Sequence, residues 1–496
     1  MKWIKDSIIP IFIGLIGTIS ILIAGINSNI YLGDEVYHYR LAEQIYTTKT
    51  RPIYDPLIHS TEKNQRKFMV AILWHTLLAG IWILTGKASQ LTAQIYQALY
   101  YFLLVFFTYL LSFKYFKDKK TAVISTILVS TIPMFGAYST MLYLDIGISF
   151  LTVLGFLLFF KERYFWQGVV LALMFLEKRN GYFFLPIFIL CILLFTQTSF
   201  KKRITNIFFL LLPLIILTLP DIYFRYVKLG SITFHPPPLN HPPYSNNFSN
   251  FIFIHPESWS YSPSNFIKYL GIPFYISLFF YIYYCLKRKI KYKDDMIFLI
   301  SSFVYLGFYL YFFKNNLSMR YLCPIIPVVC IFMSRGIYVF VFKNQTKKFN
   351  LTFIILILGV IQFFSAIGYV YTQRKIPEEV WQAYNFIEEN TSSQARFMAV
   401  RPALSLYTGR KSIWHSDASL HELGYLFWKA NDKEVKEILH YNKIDYLFVD
   451  TDRIHDDSEI KDIKHYPLSF IKKLYKFSFL KLVFNNKSVH IWKINE

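Results

Sequence analysis

The feature that most constrains this chain is a series of apolar runs, several of them longer than the roughly 18 residues that a bilayer-spanning helix requires. Of the 496 residues, 54% are hydrophobic and only 17% are charged. A run of this length needs either lipid or a very large core to cover it, and here such runs follow one another along most of the chain. The pattern predicts a polytopic α-helical membrane protein.

Eleven runs are suitable for spanning helices. They lie at 8–30, 91–113, 121–138, 142–160, 164–177, 181–199, 206–223, 265–286, 296–313, 321–342 and 350–372. A twelfth segment, "FMVAILWHTLLAGIWILTG" at 68–86, is also long enough, so hydropathy alone does not fix the number of crossings. The sequence therefore predicts about eleven transmembrane helices plus juxtamembrane helices.

The basic residues decide how the segment at 68–86 is interpreted. If it lies in or dips into the outer leaflet without crossing, the N-terminus and five loops face the cytoplasm with 19 Lys and Arg residues. If it crosses, almost all of these loops lie outside, against the positive-inside rule. We interpret 68–86 as an interfacial or re-entrant helix. Lys2 and Lys5 precede the first run and no small-residue cleavage site follows it, which indicates a retained signal-anchor.

The net charge of +22 does not indicate a nucleic-acid partner. Residues 376–496 contain 17 basic and 17 acidic residues, so the whole excess lies in the membrane part, where it serves topology. The four cysteines lie in apolar segments without metal-ligand spacing.

We predict a transmembrane domain at 1–375, with an external loop at 31–90 and a Pro-rich external loop at 224–264, and a small external soluble α/β domain at 376–496. In that domain Pro377 opens a helix and "KIDYLFVD" at 443–450 reads as a buried strand. Its balanced charge and the absence of visible acid-base clusters favour a role in covering the site or recognising the acceptor. The segment 401–414 is the candidate for acceptor contacts.

Ionisable side chains recur in the predicted external turns. Charged groups at membrane depth are costly and usually mark a site or a pathway. The turns contain Asp34 and Glu35 in "YLGDEVYHYRLAEQIY", Asp145 in "YSTMLYLDIGISF", Glu177, Lys178 and Arg179 in "LMFLEKRNGYFFLP", and Arg320 in "NNLSMRYLCPIIP".

The stretches "DEVYHYRLAEQIY", "YLD" and "EKRNGYFFLP", taken in order, resemble the GT-C superfamily of membrane glycosyltransferases. In that family an acid motif follows the first helix, two juxtamembrane helices come next, and a second acid and a basic turn follow. "KRNG" here stands where the family usually has "RPxG". The external C-terminal domain looks like that of prokaryotic protein mannosyltransferase and aminoarabinose transferase relatives. "DEVYHYRLA", "YDPLIHS" and "FLEKRNG" also look like dolichyl-phosphate-glucose glucosyltransferases.

The resemblance implies the GT-C fold and an inverting glycosyltransferase, which moves a sugar from a polyprenyl-phosphate carrier to a glycan, lipid or protein acceptor. We expect a prokaryotic plasma membrane with the active site on its external face. Sugar transfer to a hydroxyl requires a base for the acceptor proton and cations for the departing phosphate.

Asp34 is the candidate base, and Glu35 or Asp145 could orient the acceptor or hold a divalent metal. Lys178, Arg179 and Arg320 are candidates for the donor phosphate. We expect Asp34 to face a cavity shared with Asp145 and at least one of these bases.

The Pro-rich loop contains "ITFHPPPLNHPPYSNNF" at 232–248. His235 and His241 are candidates for acceptor contacts in a wall or lid, since two histidines without nearby acids are more often ordinary loop residues than metal ligands. No nucleotide-binding motif is present, which disfavours a nucleotide-sugar donor on the cytoplasmic face.

Two other functions stay open. A lipid-linked oligosaccharide flippase or transporter would be expected to contain inverted repeats or interrupted helices, and no such symmetry is detected. A surface-polysaccharide polymerase or ligase would differ in its donor, a diphosphate-linked oligosaccharide. An oligosaccharyltransferase is disfavoured because its "WWD" type motif is absent.

Overall fold

The structure is a computed structural model of the chain, and its contacts form two compact units. It describes residues 2–53, 71–230, 263–287, 295–312, 319–340, 349–399, 401–414, 431–455 and 466–495. We call the first unit, which contains the described residues of Met1–Ser28, Val70–Phe224 and Ser260–Thr372, the helical unit. The second, with those of Asn29–Met69, Arg225–Trp259 and Gln373–Glu496, is the mixed unit.

The helical unit consists of apolar helices, several of which are joined by short turns within the described residues. Its helices are α1 (Lys2–Ile26), α3 (Leu73–Thr85), α4 (Gln90–Phe116), α5 (Lys119–Ser130), α6 (Pro133–Thr140), α7 (Asp145–Phe160), α8 (Tyr164–Glu177), α9 (Phe184–Phe195), α10 (Phe200–Phe224), α11 (Pro263–Leu270), α12 (Ile272–Lys287), α13 (Asp295–Phe312), α14 (Ile326–Tyr338) and α15 (Phe349–Gln373). Short 3-10 turns at Arg179–Phe183 and Met319–Leu322 precede α9 and α14.

Each predicted span coincides with a helix or a broken helix, which confirms a largely helical, membrane-embedded chain. Within the described residues, four stretches are long and apolar enough to cross a membrane: Ile8–Ile26, Gln90–Phe116, Phe200–Leu229 and Leu356–Asn390. The pair α5 and α6, bent by 54°, can count as a fifth. The other apolar helices are shorter, so the number of eleven crossings stays a prediction, as does the interfacial position of α3.

Polar side chains join the helices where apolar packing alone would not fix their register. The hydroxyl of Ser125 contacts that of Ser112 at 2.8 Å and donates to that of Ser334 at 2.7 Å, which joins α4, α5 and α14. Such hydroxyl contacts are typical of membrane helix interfaces, where the alternative is an unsatisfied polar group in hydrocarbon.

The mixed unit combines the helix α2 (Gly33–Thr48) with a C-terminal α/β sheet. Its other helices are α16 (Glu378–Asn390), α17 (Ala403–Thr408), α18 (Asp432–Tyr441) and α19 (Leu468–Leu474), and its strands are β1 (Arg396–Ala399), β2 (Lys411–Trp414), β3 (Tyr446–Asp450), β4 (Ile454–His455), β5 (Tyr466–Pro467), β6 (Leu480–Asn485) and β7 (Val489–Ile494). The helix after Pro377 and the strand within 443–450 are confirmed, and all five residues of β3 are buried.

The main sheet has the strand order β2-β1-β3-β7-β6. β1 runs parallel to both β2 and β3, whereas β7 is antiparallel to β3 and β6. Residues of α18 and α19, among them Leu439 and Leu474, pack with Leu447 and Trp492 of the sheet into one hydrophobic core. Contacts also group α2 with the C-terminal sheet in the mixed unit. The domain boundary at 375/376 stays a prediction.

Candidate active site

An ion pair between Asp145 and Lys178 forms the centre of the candidate site in the helical unit. Asp145 is the first residue of α7, and its side chain is 2% exposed. Lys178 follows the end of α8 in an extended conformation, its Nζ pairs with Asp145 Oδ1, and its side chain is 15% exposed. Sequence separates these residues by 33 positions. The fold thus joins the predicted second acid to the predicted phosphate-binding turn.

The amide side chain of Gln97, in α4, fixes the turn that leads into Asp145. Gln97 Nε2 donates to the carbonyl oxygens of Tyr138 at 3.2 Å and Tyr143 at 2.7 Å. The Oε1 of Gln97 accepts a hydrogen bond from Trp74 Nε1 at 3.0 Å. Because Gln97 is fully buried, these bonds hold the turn before α7 in one position, and with it the Asp145 carboxylate.

Arg320 and Lys178 lie around the same aromatic ring. Lys178 Nζ is 5.0 Å from the centroid of the Tyr321 ring, and the Arg320 guanidinium carbon is 5.2 Å from it. Arg320 also lies 5.6 Å from the ring centroid of Tyr143 and donates to the Tyr321 hydroxyl at 3.4 Å. Both cations therefore lie against the Tyr321 ring, where a cation–π contact is favourable.

Asn180 and Tyr305 position Tyr321, and neither residue was predicted to belong to the site. Asn180 Nδ2 donates to the Tyr305 hydroxyl at 3.0 Å, and this hydroxyl donates to the Tyr321 carbonyl at 2.7 Å. Both Asn180 and Tyr305 are buried. Asn180 belongs to the "EKRNG" stretch, which the sequence analysis singled out. Its hydrogen-bond partner Tyr305 lies 125 positions further along the chain, so local sequence did not indicate the contact.

Glu177 is a second carboxylate beside this pair. It is fully buried, and neither of its oxygens has a hydrogen-bond partner among the residues that the structure describes. Its Oε1 lies where residue 147 would carry a side chain, since a Cβ built on Gly147 would be 2.2 Å away. Glycine at position 147 therefore allows the close approach of α7 and the end of α8.

The predicted acid motif lies in the mixed unit, at the start of α2. Asp34 is in the first turn of this helix and is partly exposed. Glu35 is fully buried, and its Oε1 accepts hydrogen bonds from the backbone N–H groups of Tyr31 at 2.8 Å and Leu32 at 2.9 Å. The Nε of Arg374 donates to the same oxygen at 3.2 Å, and both side chains of this pair are 0% exposed.

The remaining predicted residues lie outside what the structure describes. This is true of the side chain of Arg179, of His235 and of His241. Within the described part of the chain, no group of three or more His, Cys, Asp or Glu side chains is arranged to hold a metal ion. The site residues that the structure does describe fall into two groups: Asp145, Lys178 and Arg320 in the helical unit, and Asp34 and Glu35 in the mixed unit.

Comparison with solved structures identifies the fold. The apo oligosaccharyltransferase of Archaeoglobus fulgidus is similar with a TM-score of 0.66 and 14% identity, over 91% of this chain and 70% of that protein. ArnT from Cupriavidus metallidurans, bound to undecaprenyl phosphate, is similar with a TM-score of 0.62 and 10% identity, over 97% of both chains. The chain has the GT-C fold.

A third solved structure of this fold, the mycobacterial arabinofuranosyltransferase AftD, matches with a TM-score of 0.53 and 11% identity, over 97% of this chain and 40% of AftD. No protein-family model and no curated protein sequence matches the chain. The fold predicted from the ordered motifs is thus confirmed by structure, at identities too low for a sequence match.

Proposed function

We propose that this chain is a membrane glycosyltransferase that moves a sugar from a polyprenyl-phosphate carrier to a glycan, lipid or protein acceptor on the external face of a prokaryotic plasma membrane. The observation that carries the proposal is that three predicted site residues from separate segments lie close together: Asp145 pairs with Lys178, and Lys178 and Arg320 lie against the same Tyr321 ring. A phosphate diester needs such a pair of cations when its bond to the sugar breaks.

The fold supports the same donor class. One solved structure of similar fold, ArnT, is bound to undecaprenyl phosphate, and another, the archaeal oligosaccharyltransferase AglB, is in complex with an inhibitory peptide and a dolichol-phosphate. Both ligands are polyprenyl phosphates, which is what the released carrier would be here.

In the proposed reaction, the acceptor hydroxyl oxygen attacks the anomeric carbon of the sugar and its proton passes to Asp34. The bond between that carbon and the phosphate oxygen breaks, and the phosphate keeps the electron pair and leaves as polyprenyl phosphate. Lys178 and Arg320 stabilise the charge that develops on this phosphate, Lys178 as a point charge and Arg320 through its planar fork. Arg179, His235 and His241 remain candidates for phosphate and acceptor contacts, and metal use stays open.

Asp145 and Glu35 receive different roles. Asp145 holds Lys178 in place and compensates its charge until the donor phosphate arrives. Glu35 anchors the start of α2, because its Oε1 accepts three hydrogen bonds inside the protein. This assignment makes Asp34, and not its neighbour, the base of the acid motif.

The test is an assay of the purified protein with a panel of polyprenyl-phosphate monosaccharides, polyprenyl-diphosphate oligosaccharides and acceptors, in which released polyprenyl phosphate or diphosphate is measured. Turnover with a monophosphate-linked sugar is expected, and Lys178→Met should raise the donor KM. Turnover with diphosphate-linked oligosaccharides alone would identify a polymerase or ligase. Movement of intact carrier across vesicles without bond cleavage would identify a flippase, and either result would overturn the proposal.

A further inference from the structure

The C-terminal sheet contains a reversal of strand order next to β1. The chain connects β1 to β2 on one side of β1, and the next strand, β3, lies on its other side. In open sheets with parallel strands, ligands bind outside the carboxyl ends of the strands at such a reversal of strand order. At this edge Arg401 follows β1, while Asp450 ends β3 and Asp452 lies two residues further on.

In this protein a side chain from the acid-motif segment lies at that edge. Arg401 Nη1 donates to the hydroxyl of Tyr31, and the Arg401 guanidinium carbon lies 4.7 Å from the centroid of the Tyr31 ring. Arg401 Nη2 donates to Asp452 Oδ2 at 2.5 Å. Tyr31 is only 2% exposed. Burial, followed by the nearby Asp450 carboxylate, raises the pKa of the Tyr31 phenol, so this hydroxyl stays neutral.

Tyr31, Arg401 and Asp452 thus form a polar cluster at this edge of the sheet. Arg401 and Asp452 are 51 positions apart, and parallel pairing of β1 with β3 brings their neighbourhoods to one edge. Such a cluster is invisible to an inspection of local charge.

Two further contacts join the same parts of the mixed unit. Arg40 of α2 donates through Nη2 to the Ser405 carbonyl at 2.7 Å, and the Tyr407 hydroxyl donates to the Ile30 carbonyl at 3.1 Å. Ser405 and Tyr407 belong to α17, which begins two residues after Arg401. The contacted residues lie on both sides of Asp34: Ile30 and Tyr31 before it, and Arg40 after it.

We propose that the segment 401–408, with Arg401 against Tyr31 as its anchor, is a positioning element that fixes the start of α2 and thereby the direction of the Asp34 carboxylate. Arg401 is then a positioning residue for the proposed base, and this inference rests on the proposed function of Asp34. Acceptor contacts of the wider segment 401–414 stay a prediction.

Positioning predicts a specific kinetic signature. Displacement of a catalytic group by about 1 Å can cost about 100-fold in rate, whereas binding of donor and acceptor need not change. Arg401→Gln should therefore lower kcat by about 10- to 100-fold and leave both KM values nearly unchanged. Tyr31→Phe, which removes one hydroxyl, should act in the same direction, and the double variant should be no worse than Arg401→Gln alone, since both changes break one contact.

The matched control is Arg396→Gln. Arg396 stands at the opposite end of β1 and donates to the Asn442 carbonyl at 3.1 Å, so it belongs to the same sheet without a described contact to α2. Arg401→Lys is a second variant that keeps the charge beside Asp450 and Asp452 if Arg401→Gln folds poorly. It should lose part of kcat because lysine lacks the fork that contacts Tyr31 and Asp452 together.

The experiment combines kinetics with hydrogen exchange of the full-length protein in detergent. Arg401→Gln and Tyr31→Phe should speed exchange of backbone amides in 33–48, and Arg396→Gln should not. Unchanged exchange there, or a raised acceptor KM with normal kcat, would overturn the positioning role. If exchange changes as expected but the wild-type protein turns over no polyprenyl-phosphate sugar, the proposed function fails while the contact between 401–408 and α2 stands.

Discussion

Each unit of this protein contains an ion pair with a buried acid, and the two pairs differ in the exposure of the basic side chain. In the mixed unit, Glu35 and Arg374 are both 0% exposed, and one Glu35 oxygen accepts three hydrogen bonds. In the helical unit, Asp145 is equally buried, but Lys178 is 15% exposed and lies against an aromatic face. We call Glu35 and Arg374 the closed pair, because both side chains are fully buried, and Asp145 and Lys178 the open pair, because the lysine is partly exposed. A closed pair can only hold the backbone in place, whereas the cation of an open pair can also contact a ligand.

The difference in exposure helps to separate charged residues that stabilise the fold from those that can contact a substrate. Bringing an ion pair out of water costs several kcal/mol per ion, and only good geometry and extra hydrogen bonds offset that cost. Glu35 has such bonds from the backbone of 31–32, which makes it a structural anchor. Lys178 pairs with Asp145 but is itself 15% exposed, so in the proposed function it is the member of the pair that contacts the donor phosphate.

The largest effect is expected when the base itself is changed. Asp34→Asn keeps the shape of the side chain and removes its basicity, so turnover should fall by about 100- to 10,000-fold, the contribution of a positioned general base. Binding of the donor lipid should survive. The matched control is Glu43→Gln, which removes a carboxylate from the same helix, where it pairs with Arg40. Near-normal turnover of Asp34→Asn would assign the base elsewhere.

The next effect concerns the closed pair. Arg374→Met leaves Glu35 buried without its cation, so it should lower the free energy of unfolding by about 3–5 kcal/mol. Adding Glu35→Gln should recover part of this loss, because the unpaired charge is then gone. Denaturant unfolding of the purified variants measures both values.

If the double variant is as unstable as Arg374→Met alone, the buried pair is not what anchors α2. Glu35→Gln by itself should reduce turnover less than Asp34→Asn does, since its carboxylate touches backbone and Arg374 instead of substrate. A greater loss of turnover in Glu35→Gln would reverse the roles given to the two neighbouring acids.

A smaller effect is expected at the open pair, and it should appear in donor affinity. Lys178→Met removes a charge-assisted contact to phosphate worth about 1.5–3 kcal/mol, which corresponds to about a 10- to 150-fold rise in donor KM. Lys178→Arg should retain part of the affinity. Donor titration at saturating acceptor measures the change.

Arg335→Met is the control for this effect. It breaks another buried pair of the helical unit, since Arg335 Nη1 donates to Asp295 Oδ1 at 3.0 Å, and Tyr115 donates to the same oxygen. Stability should fall while donor KM stays the same. An equal rise of donor KM in both variants would mean that Lys178 acts through stability alone.

The smallest functional effect is expected from two cysteine substitutions that report topology. Lys487, in the turn between β6 and β7, and Lys161, between α7 and α8, are exposed, so Lys487→Cys and Lys161→Cys should hardly change stability and turnover. In intact cells an impermeant thiol reagent should label residue 487, and residue 161 only after lysis. The reverse pattern would place the N-terminus outside and overturn the assignment of basic loops to the cytoplasm.

Much of the fold followed from local sequence. Apolar runs predicted the positions of both the long and the short helices. A run of apolar residues forms a helix where water is excluded, because the helix satisfies its own backbone hydrogen bonds. Pro377 and the run at 443–450 predicted α16 and β3 for equally local reasons. The ordered motifs also indicated the GT-C fold, although no sequence comparison detects it.

Partners distant in sequence were decided by tertiary structure alone. The sequence named Asp145, Lys178 and Arg320, but not the Tyr321 ring around which the two cations lie. It predicted that Glu35 orients the acceptor or holds a metal, whereas the structure shows backbone N–H groups and Arg374 donating to the Glu35 carboxylate. The contact of Arg401 with Tyr31 spans 370 positions. Periodicity and spacing report the backbone of each segment, whereas the partner of a buried charge depends on which segments the fold brings together.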